Sequence, residues 1–329
     1  MASLVEKVTR AGLRLVAAQS PEKAGELAFR LFTRTRSTRP QSDKERKALA
    51  QAEARMAASE TVRLVIPGSV VATHVFRPEP GRAASGQQVL VVHGYRSRSD
   101  HMVAMADALV AAGHTVVCLD LPGHGASTGR TLHLGKAVEA IDAAWRQHGP
   151  FDTFVGHSFG GPSVMAAAAG SILHVPERRP GRIVTIAAPS DMADVFRWVG
   201  KLMGLGSAAQ SSFERQVLRF AGRPLSEFRV DRMMHDIHIP MLVIHAEDDK
   251  EVAFWNAEAI SRMGPHVRLM KANGFGHRRI VSAEPVTTAV ADFIGGEADG
   301  AEILELPLPC SNEPNKLTAT DNGRPRRLA

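Results

Sequence analysis

A serine set between two glycines, Gly156-His157-Ser158-Phe159-Gly160, constrains this chain more than any other feature. Residues 151–155 before it read as a buried strand, and residues 161–169 after it, rich in alanine, read as the start of a helix. A strand that turns into a helix this tightly leaves no room for side chains two positions either side of the central residue, so glycine is required there. The central residue is forced into a strained backbone conformation. Its hydroxyl then stands exposed at the edge of a sheet beside the N–H of the next residue, an arrangement suited to attack on a carbonyl carbon. Taken alone, the five residues also fit a tight turn with a buried structural serine, so the rest of the chain must supply the partners.

Three further strands end in chemistry-bearing loops. Residues 88–92 are apolar and run into His93-Gly94-Tyr95; residues 241–245 run into Ala246-Glu247-Asp248-Asp249-Lys250-Glu251-Val252; residues 267–272 run into Gly274-Phe275-Gly276-His277. Serine, acid and histidine thus follow in that chain order, each just past the carboxyl end of a strand. On these residues the chain resembles the α/β-hydrolase fold family of serine hydrolases, with esterase, lipase and lysophospholipase members, across about residues 61–295. The resemblance implies a mostly parallel, eight-stranded α/β sheet with helices on both faces and a helical cap over the site.

Within that resemblance Ser158 is the expected nucleophile and His277 its base. Thirteen other histidines compete for the second role, but His93, His157 and His124 sit in motifs of their own. The acid lies among Glu247, Asp248 and Asp249. Relatives place it three residues before a valine, which selects Asp249 through Val252, with Asp248 as the alternative and Glu247 facing solvent. Acyl transfer also needs two N–H donors aimed at the developing oxyanion; Phe159 and Tyr95 are in place to supply them from the backbone. The Tyr95 ring either lines the acyl side of the pocket or packs under the cap. Arg96 and Arg98 either meet an anionic leaving group or remain solvated.

A serine at the elbow sets the chain apart from family members that use aspartate there (epoxide hydrolases, haloalkane dehalogenases) or cysteine (dienelactone hydrolases). What the resemblance implies is acyl-enzyme chemistry, first of all carboxylic ester hydrolysis, with acyltransferase or thioesterase activity on the same residues as the alternative. A non-catalytic binding module is a third reading, disfavoured because serine, acid and histidine are all present. No two histidines are spaced as metal ligands on one helix, so neither metal nor cofactor is expected.

Strand and helix signals alternate through the middle of the chain, as a largely parallel sheet requires. Residues 61–66 and 70–76 read as an edge hairpin through Pro67-Gly68, and helices are expected over 101–112 and 134–147. The cap falls at about residues 190–239, with amphipathic helices over 192–205 and 212–221. Phe196, Trp198, Met203, Phe213 and Phe220 there either line the pocket or pack the cap on the core.

Residues 1–60 lie outside the catalytic domain and read as three helices, 4–18, 21–32 and 43–56. They hold twelve Lys and Arg against seven Asp and Glu, so five of the chain's net +6 charges. Two readings of this basic extension stay open: peripheral contact with anionic lipid, or a helical arm packing on the core or on a second subunit. Acidic residues interrupting the basic faces favour the arm. Nucleic-acid binding is not expected, since neither a known module nor aromatic interleaving appears, and the substrate is expected to be a small-molecule ester. Glu6-Lys7 breaks any signal-peptide core and no stretch approaches membrane-spanning length. Cys118 falls in a core strand and Cys310 in the tail, so no disulfide is expected and cytoplasmic residence follows. Residues 296–329 read as a flexible tail.

Overall fold

The central apolar runs pair side by side because each is too hydrophobic to leave either face in water, whereas the N-terminal edge run keeps alternate positions exposed. The computed structural model describes residues 4–35, 38–40, 42–79, 86–296 and 303–305. The strands are β1 (Glu60–Ile66), β2 (Ser69–Phe76), β3 (Gln88–Val92), β4 (Thr115–Asp120), β5 (Thr153–His157), β6 (Arg182–Ile186), β7 (Met241–His245) and β8 (Val267–Lys271). These are the eight expected from sequence. A ninth, β9 (Ile303–Glu305), pairs parallel to β8 at the edge. It arises from the stretch read as tail, and three residues are too few to carry a periodic signal. The sheet order is β1-β2-β4-β3-β5-β6-β7-β8-β9. Only β2 runs against its neighbours, pairing antiparallel with β1 and with β4. The remainder of the tail, Cys310 included, lies outside the described residues.

Strands β5 and β7 are buried at every position, as expected where helices cover both faces of a parallel sheet. One face is packed by α5 (Leu134–His148) and α6 (Gly160–Ala168), and the other by α4 (Val103–Ala111) and α12 (Glu284–Gly295). Cys118 lies buried in the core as a free thiol. Between β6 and β7 the chain leaves the sheet to form α7 (Met192–Met203), α8 (Ser207–Ala221) and the single turn α9 (Val230–Met233). Helix α8 starts five residues before the expected point, because Ser207 to Ser211 carry no apolar stripe to announce it. The short helices α10 (Trp255–Ser261) and α11 (Gly276–Arg279) follow β7 and β8.

The N-terminal segment forms α1 (Leu4–Gln19), α2 (Pro21–Thr33) and α3 (Asp43–Ala57). Ser20 caps α2 by accepting the Lys23 N–H, and Pro21 occupies the first turn, where a missing N–H costs nothing. Helix α2 lies directly on α8. A Cβ on Gly25 would stand 2.5 Å from Ser212 Cβ and 2.6 Å from the Phe213 nitrogen, so only glycine permits this approach. The Ser212 hydroxyl donates to Glu22 O at 2.9 Å across the same contact. Phe29 and Phe32 then interleave with Phe196 and Phe213, with ring centroids 4.7–6.4 Å apart. Phe196 and Phe213 therefore join helices rather than border an open pocket. Phe220 stacks on His133 at 4.2 Å, and Trp198 is exposed.

Gly25→Ala is expected to destabilise the protein by about 1–3 kcal/mol through overpacking of a closed contact. Urea unfolding followed by far-UV circular dichroism measures this; an unchanged midpoint would mean that α2 does not sit on α8 as described.

Candidate active site

Ser158 has a φ of 51°, in the left-handed region that costs a non-glycine residue roughly 1–2 kcal/mol. The surroundings hold it there. Its N–H donates to Ile186 O at 2.8 Å, and its carbonyl accepts from the Gly161 N–H at 2.9 Å. A Cβ on Gly156 would lie 2.5 Å from Gly160 O, and one on Gly160 would lie 2.3 Å from Val92 O. Both flanking glycines are thus sterically obligatory, as the sequence motif requires.

The same turn delivers Ser158 Oγ to within 3.0 Å of His277 Nε2, while His277 Nδ1 lies 2.7 Å from Asp249 Oδ2. Donation from Nδ1–H to the carboxylate leaves Nε2 as the basic nitrogen facing the hydroxyl. The Asp249 carboxylate is fully buried. Its Oδ1 accepts from the N–H groups of Glu251 (2.7 Å) and Val252 (2.9 Å). Burial alone would raise this carboxyl, but hydrogen bonds from His245, His277 and those two amides outweigh it and hold the group well below the usual carboxylate range. Asp248 instead accepts the Gly274 N–H at 2.9 Å from an exposed position, and Glu247 pairs with Asn273 and Lys271. Of the three adjacent acids, only Asp249 reaches His277.

Two histidines stand behind these three residues. His245 Nε2–H donates to Val252 O at 2.9 Å and lies 3.3 Å from Asp249 Oδ2, bracing the turn that carries the acid. His157 Nε2–H donates to the backbone carbonyl of His277 at 2.9 Å, tying the elbow to the loop opposite. Burial, and then the neighbouring His277, pushes His157 down to about 4. Sequence reasoning assigned neither role. The available signal was a histidine ending the strand before the acid and another immediately before the serine.

The loop after β3 is fixed from below. His93 Nε2 accepts the Leu121 N–H at 3.0 Å and its Nδ1–H donates to Gly94 O at 2.7 Å. Burial and the adjacent His124 push His93 down to about 3, so it stays neutral. His124 Nε2 accepts the Arg96 N–H at 3.1 Å. Asp120, buried at the end of β4, takes N–H bonds from Ser99 (2.8 Å) and Ala126 (2.7 Å) and so links this loop to the next. A Cβ on Gly94 would meet Ser158 Cβ at 2.8 Å, which brings the backbone leading to Tyr95 against the serine. On the other side, no acceptor among the described residues takes the Phe159 N–H. The Tyr95 ring packs edge-on to Phe159 and His124, and its hydroxyl donates to Arg34 O at 3.0 Å. Its tip is therefore tied beneath the N-terminal arm. Arg98 pairs with Asp100 at 2.7 Å and reaches Thr38 O at 3.2 Å, turned toward the arm.

Such a site can pass a proton from a hydroxyl to an imidazole while a buried carboxylate steadies the resulting cation. Among the described residues no group of three His, Cys, Asp or Glu side chains is arranged to hold a metal ion.

Residues 89–291 match the alpha/beta hydrolase family. Similar solved structures include the esterase Est1E from Butyrivibrio proteoclasticus (20% identity, TM-score 0.56, covering 71% of this chain and 97% of that one). The esterase domain of a Rhodothermus marinus protein aligns at 21% identity with a TM-score of 0.50, covering 72% and 96%. A bacterial membrane phospholipase A aligns at 16% identity with a TM-score of 0.56, covering 76% and 91%. At these identities the likeness is one of fold. No curated protein matches the sequence.

The buried histidines set an expected pH response. In the unfolded chain they take up protons below about pH 6.5, whereas in the fold His157 stays neutral to about 4 and His93 to about 3. The unfolded state therefore binds more protons in that window, and their contribution is full above pH 6.5 and declines as the pH falls toward 4. Asp249, with its pKa depressed from 3.8, keeps its contribution until the pH falls below that value. Urea midpoints should thus drop between pH 7 and 4. His157→Asn, which can still donate to His277 O without titrating, should flatten the slope by up to about 1.4 kcal/mol per pH unit. A midpoint independent of pH would contradict the neutral burial of these rings.

Proposed function

The chain belongs to the alpha/beta hydrolase family, and on that premise we propose that it hydrolyses a carboxylic ester through an acyl-enzyme formed on Ser158. The observation carrying this reading is the unbroken hydrogen-bonded line from Asp249 through His277 to Ser158 Oγ, at 2.7 and 3.0 Å. Ser158 Oγ attacks the ester carbon as His277 Nε2 takes the hydroxyl proton. The oxyanion of the tetrahedral intermediate lies between the N–H groups of Phe159 and Tyr95. On collapse the bond to the alcohol oxygen breaks, and His277 returns the proton to that oxygen. Water then enters, gives a proton to His277 and attacks the acyl carbon. The acid leaves as Ser158 recovers its proton. Asp249 remains ionised throughout, fixing the imidazole tautomer and stabilising the imidazolium.

A series of p-nitrophenyl esters from acetyl to palmitoyl tests this reading. The wild type should turn over at least one of them, and Ser158→Ala should lower kcat by about 10⁶. Asp249→Asn should cost about 10⁴, whereas Asp248→Asn, which makes no hydrogen bond to His277 and can still accept the Gly274 N–H, should stay within about threefold of wild type. Folded wild-type protein inactive on every ester would overturn ester hydrolysis and direct attention to thioesters and acyl transfer.

A further inference from the structure

Six of the nine exposed large hydrophobic residues among the described residues lie on α1, α2, α7 and α8, the helices stacked beyond the carboxyl edge of the sheet. Trp198 and Leu202, one turn apart on α7, are 64% and 39% exposed. Arg197 and Lys201 run beside them at the same spacing and are also exposed. Helix α1 meets the end of α7 through Arg10 and Arg14, and the i, i+3, i+7 spacing of Lys7, Arg10 and Arg14 places all three on one side of the helix. Arg10 donates to Leu202 O at 2.6 Å, and the Arg10 and Arg14 side chains lie 3.6–3.9 Å from the position of a Cβ on Gly204.

Of the acids on α2, Glu26 is drawn away to Arg219, while on α7 Asp194 pairs with Arg197 and neutralises it. Among the described residues, Lys7, Arg10, Arg14 and Lys201 have no carboxylate partner. The result is a patch with an exposed tryptophan and leucine at its centre, bordered by four cations without a carboxylate partner, Lys7, Arg10, Arg14 and Lys201, and by the paired Arg197. An indole with its apolar body and polar N–H is suited to the boundary between lipid headgroups and acyl chains, and basic residues beside it are drawn to anionic headgroups. A second copy of this chain is a poorer occupant, because a two-fold contact would set the patch against itself and oppose like charges.

We propose that the α1–α7 face docks this protein on an anionic lipid surface. In doing so it would hold the cap, which springs from the end of β6 beside Ser158, at the interface where acyl-lipid esters reside. The purpose assigned to docking rests on the ester-hydrolase reading; docking itself does not.

The test is therefore made on the full-length Ser158→Ala protein, in which no turnover occurs. Sedimentation with phosphatidylglycerol–phosphatidylcholine vesicles is compared with sedimentation with pure phosphatidylcholine vesicles. The protein should pellet with the anionic vesicles only, and less so as salt rises. Arg14→Gln combined with Lys201→Gln should weaken partitioning roughly 20-fold, and Trp198→Ala combined with Leu202→Ala about tenfold or more. Trp255→Ala, an exposed tryptophan outside the patch, should leave partitioning unchanged. Thermal midpoints within a few degrees of the parent show that each variant is folded. Absence of binding to anionic vesicles at low salt, or equal binding by all variants, overturns the proposal. Self-association abolished by Trp198→Ala without vesicle binding would reassign the face to a second copy. Binding to RNA but not to vesicles would overturn it equally. Because hydrolysis is never read, loss of the ester reading and loss of docking remain separate results.

Discussion

The left-handed backbone of Ser158 persists because everything around it forbids relaxation. Its N–H is held by the end of β6 and its carbonyl by the first turn of α6, and the glycines on either side lie against backbone carbonyls that no Cβ could approach. A conformation unfavourable by roughly 1–2 kcal/mol is thereby stabilised by the most deeply buried strands of the sheet. The hydroxyl that emerges from this turn meets an imidazole from the β8 loop, which is oriented by a carboxylate from the β7 loop. Each partner is in turn tied to something rigid: His277 through its carbonyl to His157, and Asp249 to two amides and His245. Precision at the site is thus a property of three strand ends fixed in one sheet.

The N-terminal arm extends that fixation beyond the family domain. Helix α2 is wedged on α8 at Gly25, and the chain leaving it pairs with the loop after β4, where Thr35 N–H donates to Arg130 O and Leu132 N–H to Thr33 O. The Tyr95 hydroxyl closes the circuit by donating to Arg34 O. The arm therefore touches both α8, in the segment between β6 and β7, and the loop expected to stabilise the oxyanion. A segment lying outside the matched residues 89–291 helps define the surroundings of the site. None of its helices, nor any other among the described residues, is long and apolar enough to cross a membrane.

Much of this was legible in the sequence, for identifiable reasons. The elbow could be read because tight turns tolerate so few residues, the central strands because runs buried on both faces must be apolar, and the β1–β2 hairpin from the Pro67-Gly68 turn between its two apolar runs. Asp249 was distinguishable from Asp248 by its distance from Val252, and that spacing closes the Asp249 carboxylate onto the Val252 N–H. Tertiary contacts left weaker traces. The Tyr95 ring is expected on the acyl side of the pocket, with packing under the cap as the alternative, and nothing in the sequence signals that its hydroxyl reaches Arg34 O on the distant N-terminal arm. Phe196 and Phe213 carry an apolar signal that does not reveal which surface they pack against. Glu26 on α2 looked like an interruption of a basic face until its partner Arg219, distant in sequence, was located in space. Strand β9 was too short to show any period.

The central claim is that Ser158 is a nucleophile activated by His277 and Asp249, and stoichiometric labelling with an alkyl fluorophosphonate addresses it without assuming a substrate. Attack by an activated serine forms an O–P bond and expels fluoride, and peptide mass spectrometry locates the adduct. The expected result is a single adduct on Ser158, absent in Ser158→Ala and formed far more slowly in Asp249→Asn. Folded protein that remains unlabelled, or carries its adduct on another residue, would contradict the account.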